Sequence, residues 1–177
     1  MKNLKLGFIA LCGFVLAFTS CKKNNDTPAP NNSFVIGGTN YGANLGFYAT
    51  YGTDETDLIF FNKLPISDTT GVNAAYIAFG GTIPAAGTYT YTSGTVDPAK
   101  NFSDVFVYYN STYSPTSDTF AGGASIDSDA YDATGSTVTI SISGSTYTVV
   151  YALKFTDSAK KVTLIDGQYS GALTKIN

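Results

Sequence analysis

The sequence predicts an all-β fold, in which an antiparallel meander forms a sandwich or a barrel and no substantial helix is present. From Phe34 onward, short runs rich in Tyr, Phe, Val, Ile and Thr recur between clusters of Gly, Asp, Asn and Pro, which is the pattern of strands and turns. No helical period extends beyond a turn or two in this part of the chain. Strands that follow one another without intervening helices favour antiparallel connections.

The clearest pair of strands lies between residues 135 and 155. Val138, Ile140 and Ile142 alternate with Thr and Ser, so the apolar side chains share one face of the strand. Ser143-Gly144-Ser145 supplies a tight turn, in which glycine takes the positive φ that such hairpins require. The inward side chains predicted for the return strand are Tyr147, Val149, Tyr151, Leu153 and Phe155.

Ten or eleven strands are predicted in all. They cover 34–36, 44–51, 57–62, 74–79, 88–92, 103–109, 119–126, 136–143, 146–155, 161–166 and 168–173. Residues 58–61, 105–109 and 149–153 are apolar on both strand faces, although one face of an antiparallel sheet normally meets water. Their second face therefore packs against another sheet or a barrel rim, or it lines a ligand cavity or a partner surface.

The first 21 residues have the features of an export signal. Lys2 and Lys5 precede an apolar run over residues 6–18, and small residues follow it. The run has about 13 residues, well short of the roughly 20 that a membrane-spanning helix needs. The segment is therefore expected to be removed.

Cys21 makes this signal more specific. The segment resembles a bacterial lipoprotein signal, and the resemblance implies that Cys21 is the acylated first residue of the processed chain. A plain cleaved signal and a retained helix are the alternatives. The other cysteine, Cys12, lies inside the apolar run and would leave with it, so no disulfide partner remains for Cys21.

The chain therefore divides into three parts. Residues 1–20 are the predicted signal peptide, 21–33 a lipid-anchored flexible linker, and 34–177 a single all-β domain. The linker sequence is rich in Asn, Pro, Lys and Asp, which cannot bury enough surface to offset the entropy lost on ordering.

Two C-terminal motifs carry a wider resemblance. The sequences GSTVTISISGSTYTVVYAL (135–153) and LIDGQYSGAL (164–173) are similar to the C-terminal part of many small lipoproteins of the Bacteroidota, and IPAAGTYTY (83–91) resembles a recurring element in them. The resemblance implies an envelope β domain on an outer-membrane lipoprotein, and no activity. Members sent to the cell surface often carry acidic residues after the cysteine. This chain has Lys22 and Lys23 there, so the sequence does not determine whether the protein lies on the periplasmic or the surface side of the membrane.

Composition excludes several classes of function. The chain has 10 Lys+Arg against 13 Asp+Glu, no arginine and no histidine. Nucleic-acid binding needs clustered Lys and Arg, so no nucleic-acid partner is expected. Triads that use histidine, imidazole metal sites and bidentate arginine clamps are excluded as well. We therefore expect no enzyme activity, no catalytic residues, no metal and no cofactor.

Tyrosines are the candidate ligand-binding residues. The chain has 13 Tyr, and Tyr89, Tyr91 and Tyr108 are the candidates for a binding face. Tyrosine rings without cationic neighbours suit stacking on sugar rings, and their hydroxyls can form hydrogen bonds. The alternative is that these rings form the core and cross-strand pairs of the sheet.

Acidic residues cluster at 54–57 and 127–132, which are interpreted as loops. Their carboxylates offer oxygen ligands of the kind that calcium takes, but turn chemistry also explains Asp at such places. A glycosidase pair would need two carboxylates facing each other across a groove. Isolation of every carboxylate on a turn would exclude that pair.

Two hypotheses of function follow. In the first, the protein is anchored in the cell envelope by its lipid, and its β domain binds a glycan or a small apolar ligand or acts as a scaffold. In the second, it is a structural or adhesion subunit that assembles by strand addition, with a protein partner still unknown. The second predicts a displaceable terminal strand or an unpaired edge.

Overall fold

The computed structural model describes residues 31–64, 70–114 and 119–176, which form thirteen strands and no helix. The predicted signal, Cys21 and most of the linker lie outside the described residues. The strands are β1 (Ser33–Ile36), β2 (Thr39–Gly42), β3 (Leu45–Tyr51), β4 (Glu55–Phe61), β5 (Val72–Gly80), β6 (Gly87–Tyr91), β7 (Asn101–Ser114), β8 (Thr119–Ala121), β9 (Ala124–Asp127), β10 (Thr137–Ser143), β11 (Thr146–Thr156), β12 (Val162–Gly171) and β13 (Thr174–Ile176). Within these residues, no helix of the length and hydropathy that crossing a membrane requires is present.

The all-β prediction is confirmed, as one mixed sheet that does not close into a barrel. Its strand order is β13-β3-β4-β5-β7-β6-β10-β11-β12-β1-β2, and β8 and β9 pair with β7. The described pairings are antiparallel except for β13 on β3 and β6 on β7, which are parallel. Along this order β13-β3, β5-β7, β6-β10 and β12-β1 pair without being consecutive in the chain, and a simple meander omits these non-local pairings.

The sheet folds into two layers at the junction of β6 and β7, which share only two residue pairs. The first layer is β13-β3-β4-β5-β7 with β8 and β9, and the second is β6-β10-β11-β12-β1-β2. The main core lies between them and draws on both layers. Phe60 of the first layer stacks on Tyr151 and Tyr169 of the second, with ring centroids 6.0 and 5.0 Å away. The domain is thus sandwich-like.

The predicted hairpin is present as β10 and β11, with Ile140 opposite Val149. Val149, Tyr151, Leu153 and Phe155 are buried as expected, as are Val138 and Ile140. Ile142, however, is 40% exposed, and its partner Tyr147 is half-buried. Both residues lie next to the turn, where Tyr147 still packs against the margin of the core.

The predicted strand bounds were wrong at two places that contain glycine. The predicted strand 119–126 is split into β8 and β9, because Gly122 and Gly123 both have a positive φ that a strand cannot continue through. The predicted strands 161–166 and 168–173 form the single strand β12, in which Gly167 pairs with Tyr151. The short strands β2 and β13 were not predicted.

The ordered domain begins before its predicted boundary at residue 34. Ser33 is buried within β1, and the Asn32 side chain accepts a hydrogen bond from the backbone N–H of Ser170. The side chain of Gln168 also donates to Asn31 Oδ1 at 2.9 Å. Residues 31–33, which the sequence analysis assigns to the linker, are therefore hydrogen-bonded to β12 or paired with it.

Candidate functional site

The first layer has a second face that points away from the main core, which we call the outer face. Strand alternation places every second residue of β3, β4, β5 and β7 on it. Strand register aligns these residues in rows across β4, β5 and β7: Phe61–Ala74–Tyr108, Ile59–Tyr76–Phe106 and Asp57–Ala78–Asp104. Aromatic residues therefore dominate two adjacent rows, and carboxylates the third.

A groove of about 450 Å³ lies on this face. Such a volume is within the range of small-molecule sites in proteins. The groove is lined by Glu55, Asp57, Tyr76, Ala78, Asp104, Phe106, Tyr108, Phe120 and Asp129. It thus has an aromatic half and an acidic half.

The aromatic half is held by ring-on-ring packing. Tyr108 stacks on Phe120 at 4.2 Å between centroids and 15° between planes, and Tyr76 meets both rings edge-on at 6.2 Å. A second apolar cluster on the same face, which includes the buried side chains of Ile59 and Phe61, packs beside these rings. The half-buried rings consequently have fixed orientations, which favours stacking with a flat apolar partner.

The acidic half centres on Asp57. Its Oδ1 atom is buried and has no hydrogen-bond partner among the described residues. The pKa of this carboxyl is raised to about 6, chiefly by burial and then by the nearby charges of Glu55 and Asp104, while a hydrogen bond with Tyr51 acts to lower it. Asp57 is therefore a partly desolvated carboxyl with one unused acceptor.

Asp104 is positioned by the turn after β9. Ser128 Oγ donates a hydrogen bond to Asp104 Oδ1 at 3.2 Å and accepts one from the backbone N–H of Val105 at 3.0 Å. A β-bulge in β7 shifts the register between Phe102 and Asp104, which leaves Asp104 opposite Ala78 on the outer face. The turn also brings Asp129 to the groove.

The three candidate tyrosines have different positions. Tyr108 lines the groove. Tyr91 is half-buried at the end of β6, where its hydroxyl has a hydrogen-bond contact with Ser128, so it lies behind the acidic half and not in the lining. Tyr89 is only 3% exposed, packs edge-on against Phe79 at 5.1 Å and donates its hydroxyl to the Ala85 carbonyl. The Tyr89 ring therefore belongs to the core and does not line the groove.

The acidic clusters were only partly loops. Glu55 and Asp57 lie within strand β4, and Asp129 lies in the turn after β9, so members of both sequence clusters reach the same groove. Within residues 31–64, 70–114 and 119–176, no group of three or more acidic side chains is arranged to hold a metal ion.

Sequence reasoning missed three lining aromatics, Tyr76, Phe106 and Phe120. A usable signal existed in β7, where Asp104, Phe106 and Tyr108 alternate with buried Val105 and Val107. An acid followed by aromatics at a period of two marks one strand face as a mixed polar and aromatic surface. Phe120 carries no such signal, because it reaches the face through the short strand β8.

Asp57 and Asp104 are separated by the intervening strand β5. Two strand spacings put their Cα atoms about 10 Å apart. Glycosidase carboxyl pairs flank the scissile bond at about 5–9.5 Å. These two side chains leave the same sheet face, so a ligand lying on that face meets both from one side.

No protein-family model, curated protein or solved structure matches this chain.

Proposed function

We propose that the chain is a lipid-anchored protein of the bacterial cell envelope whose β domain binds a glycan in the outer-face groove. The observation that carries the binding proposal is the juxtaposition of oriented aromatic rings with carboxylates in one groove of about 450 Å³. Sugars present apolar ring faces edged by hydroxyls. Rings such as Tyr108 and Phe120 would stack on the apolar face, and carboxylates such as Asp104 would accept hydrogen bonds from the hydroxyls.

Binding is tested with purified full-length protein on a glycan array and by calorimetry on the glycans retained. Tyr108→Ala is expected to weaken binding at least tenfold, because it removes a stacking face, whereas Tyr108→Phe keeps the ring and should lose threefold or less. Tyr147→Ala at the tip of the β10–β11 hairpin is the matched control and should bind normally. Retention of no glycan by the wild-type protein would refute the proposal.

The anchor is supported by the apolar run and by Cys21, which resembles the acylated cysteine of bacterial lipoproteins. Two or more acyl chains hold a protein stably on a bilayer. In a bacterial host we expect the wild-type protein in the outer-membrane fraction and the Cys21→Ser variant unprocessed or displaced from it. Mass spectrometry of the N-terminal peptide should give an acyl-modified Cys21. An unmodified cysteine on membrane-bound protein would contradict the anchor.

We infer further that the groove binds without catalysing cleavage. Hydrolysis needs one carboxyl on the leaving group and another that acts from the opposite face of the sugar. Asp57 and Asp104 share one sheet face with a strand between them, which favours holding a ligand over cleaving it. Incubation of any bound oligosaccharide with the protein should therefore release no shorter product.

A second candidate, assembly by strand addition, is favoured by β13. This strand has three residues, all of them exposed, and it pairs in parallel with β3. A donor strand from another molecule could displace so short a strand and extend along β3. If so, a variant truncated before Thr174 should form concentration-dependent oligomers in sedimentation experiments. A truncated protein that stays monomeric would exclude this route.

A further inference from the structure

The charges of the groove are all of one sign. Its charged lining residues are Glu55, Asp57, Asp104 and Asp129, and no lysine lines it among the described residues. The described ion pair between Lys100 and Asp97, at 2.7 Å, involves neither a lining acid nor a lining base. A ligand in the groove therefore meets carboxylates that lining residues leave without a cationic partner.

Asp57 carries a further energetic cost within this set of carboxylates. Asp57 Oδ1 is buried and has no hydrogen-bond partner in the described part of the chain. A buried acceptor that lacks a donor is expensive. Asp57 lines the groove together with Glu55 and Asp104, so a positively charged group there would offset the repulsion among these carboxylates.

The aromatic half points to the same ligand chemistry. The faces of tyrosine and phenylalanine rings attract cations within about 6 Å of the ring centre. Tyr76, Phe106, Tyr108 and Phe120 border the acidic residues within one groove. A ligand with an apolar body and a positively charged nitrogen would use both halves at once.

We infer that the groove selects a ligand with a protonated amino group, and that among glycans this is an amino sugar. The inference rests on the proposed glycan binding and narrows it to a substrate class. The amino group would lie between Asp57 and Asp104, and the sugar ring face would stack on the aromatic half.

The test compares three tetrasaccharides by calorimetry with full-length protein: β-1,4-linked glucosamine, its fully N-acetylated form and β-1,4-linked glucose. The amino form should bind at least tenfold more tightly than the other two. The glucose form separates charge from size, since it has neither the amino group nor the acetyl group. Equal affinity for all three, or tighter binding of a neutral form, would overturn the amino-sugar inference and leave glycan binding standing. If none of the three binds, the amino-sugar inference fails, and glycan binding is then judged by the array.

Charge-neutralising variants locate the effect. Asp57→Asn and Asp104→Asn should each weaken binding of the glucosamine tetramer about tenfold and change its dependence on salt. Asp157→Asn makes the same chemical change on the turn after β11, away from the groove lining, and should bind like the wild type. Unfolding curves of all three variants establish that they fold. Folded Asp57→Asn and Asp104→Asn variants with unchanged affinity would overturn the inference.

Discussion

At the scale of the residue, two buried tyrosines of the second layer differ in how their hydroxyls are satisfied. Tyr151 is 1% exposed, and its hydroxyl has no hydrogen-bond partner among the described residues. Tyr169 donates its hydroxyl to the Ala172 carbonyl at 2.7 Å and has a backbone hydrogen bond with Gly46 of the first layer. A buried tyrosine hydroxyl therefore costs stability at residue 151, whereas at residue 169 it links the two layers.

We expect Tyr151→Phe to stabilise the domain by about 1 kcal/mol, because it removes a buried hydroxyl without a partner and keeps the ring on Phe60. Tyr169→Phe is the matched control. It should cost about 1–3 kcal/mol, since the hydrogen bonds of its hydroxyl with Ala172 and Gly46 are both lost. Urea unfolding gives both values. A loss of stability in Tyr151→Phe would indicate that this hydroxyl is satisfied after all.

At the scale of the element, strand β12 depends on glycine where a tyrosine ring crosses it. Tyr151 pairs with Gly167, and a Cβ atom at residue 167 would lie 2.1 Å from the tyrosine ring. Tyr169 covers Gly46 in the same way, with 2.3 Å to the nearest ring atom. Glycine inside a strand here marks a close approach by a side chain, not a strand end.

Gly167→Ala is accordingly expected to destabilise the domain by about 1–3 kcal/mol or more, because the ring of Tyr151 has to leave its place in the core. Gly42→Ala on strand β2 is the control. Its Cβ would meet nothing closer than 3.8 Å, so a change within about 0.5 kcal/mol is expected in the same urea experiment. Similar losses in the two variants would show that backbone entropy, and not the ring, decides the effect.

Prediction from sequence succeeded where strands alternate regularly and failed at these glycines. Alternation predicted the β10–β11 hairpin and its buried side chains, since period-two patterning is a local property. Glycine is ambiguous locally: Gly122 and Gly123 end a strand through positive φ, whereas Gly167 continues one. The reason for glycine at residue 167 is the ring of Tyr151, which lies on the neighbouring strand β11. This contact is not visible in the local sequence, so the sequence analysis divided β12 in two at Gly167.

At the scale of the whole molecule, the groove arises from pairings that no local pattern reports. Asp57 and Asp104 become neighbours in one row only because β5 lies between β4 and β7. Tyr108 lines the groove from a strand that is apolar on both faces, whereas Tyr89 on an equally aromatic strand faces the core. Which face of a strand is inward is set by how the two layers fold together.

The raised pKa of Asp57 makes the stability of the domain depend on pH. The pKa of Asp57 rises from 3.8 to about 6 on folding, so the folded state holds the proton more tightly. Its contribution to stability is fully present below pH 3.8 and is lost as the pH rises through about 6. Asp57→Asn should therefore match the wild type near pH 3.5 and exceed its stability at pH 7 by on the order of 1 kcal/mol, a figure reduced for solvent screening of this partly exposed group.

Urea unfolding at several pH values checks this, with Asp97→Asn as a control of opposite sign. The Lys100 side chain donates a hydrogen bond to Asp97 at 2.7 Å and lowers the pKa of that carboxyl. Loss of the carboxylate in Asp97→Asn should therefore destabilise the domain at pH 7 and have a smaller effect in acid. A constant stability difference for Asp57→Asn from pH 3.5 to 7 would mean that Asp57 ionises normally. If the difference grows with pH while the variant loses affinity for an amino sugar, the carboxyl is retained for binding at the expense of stability.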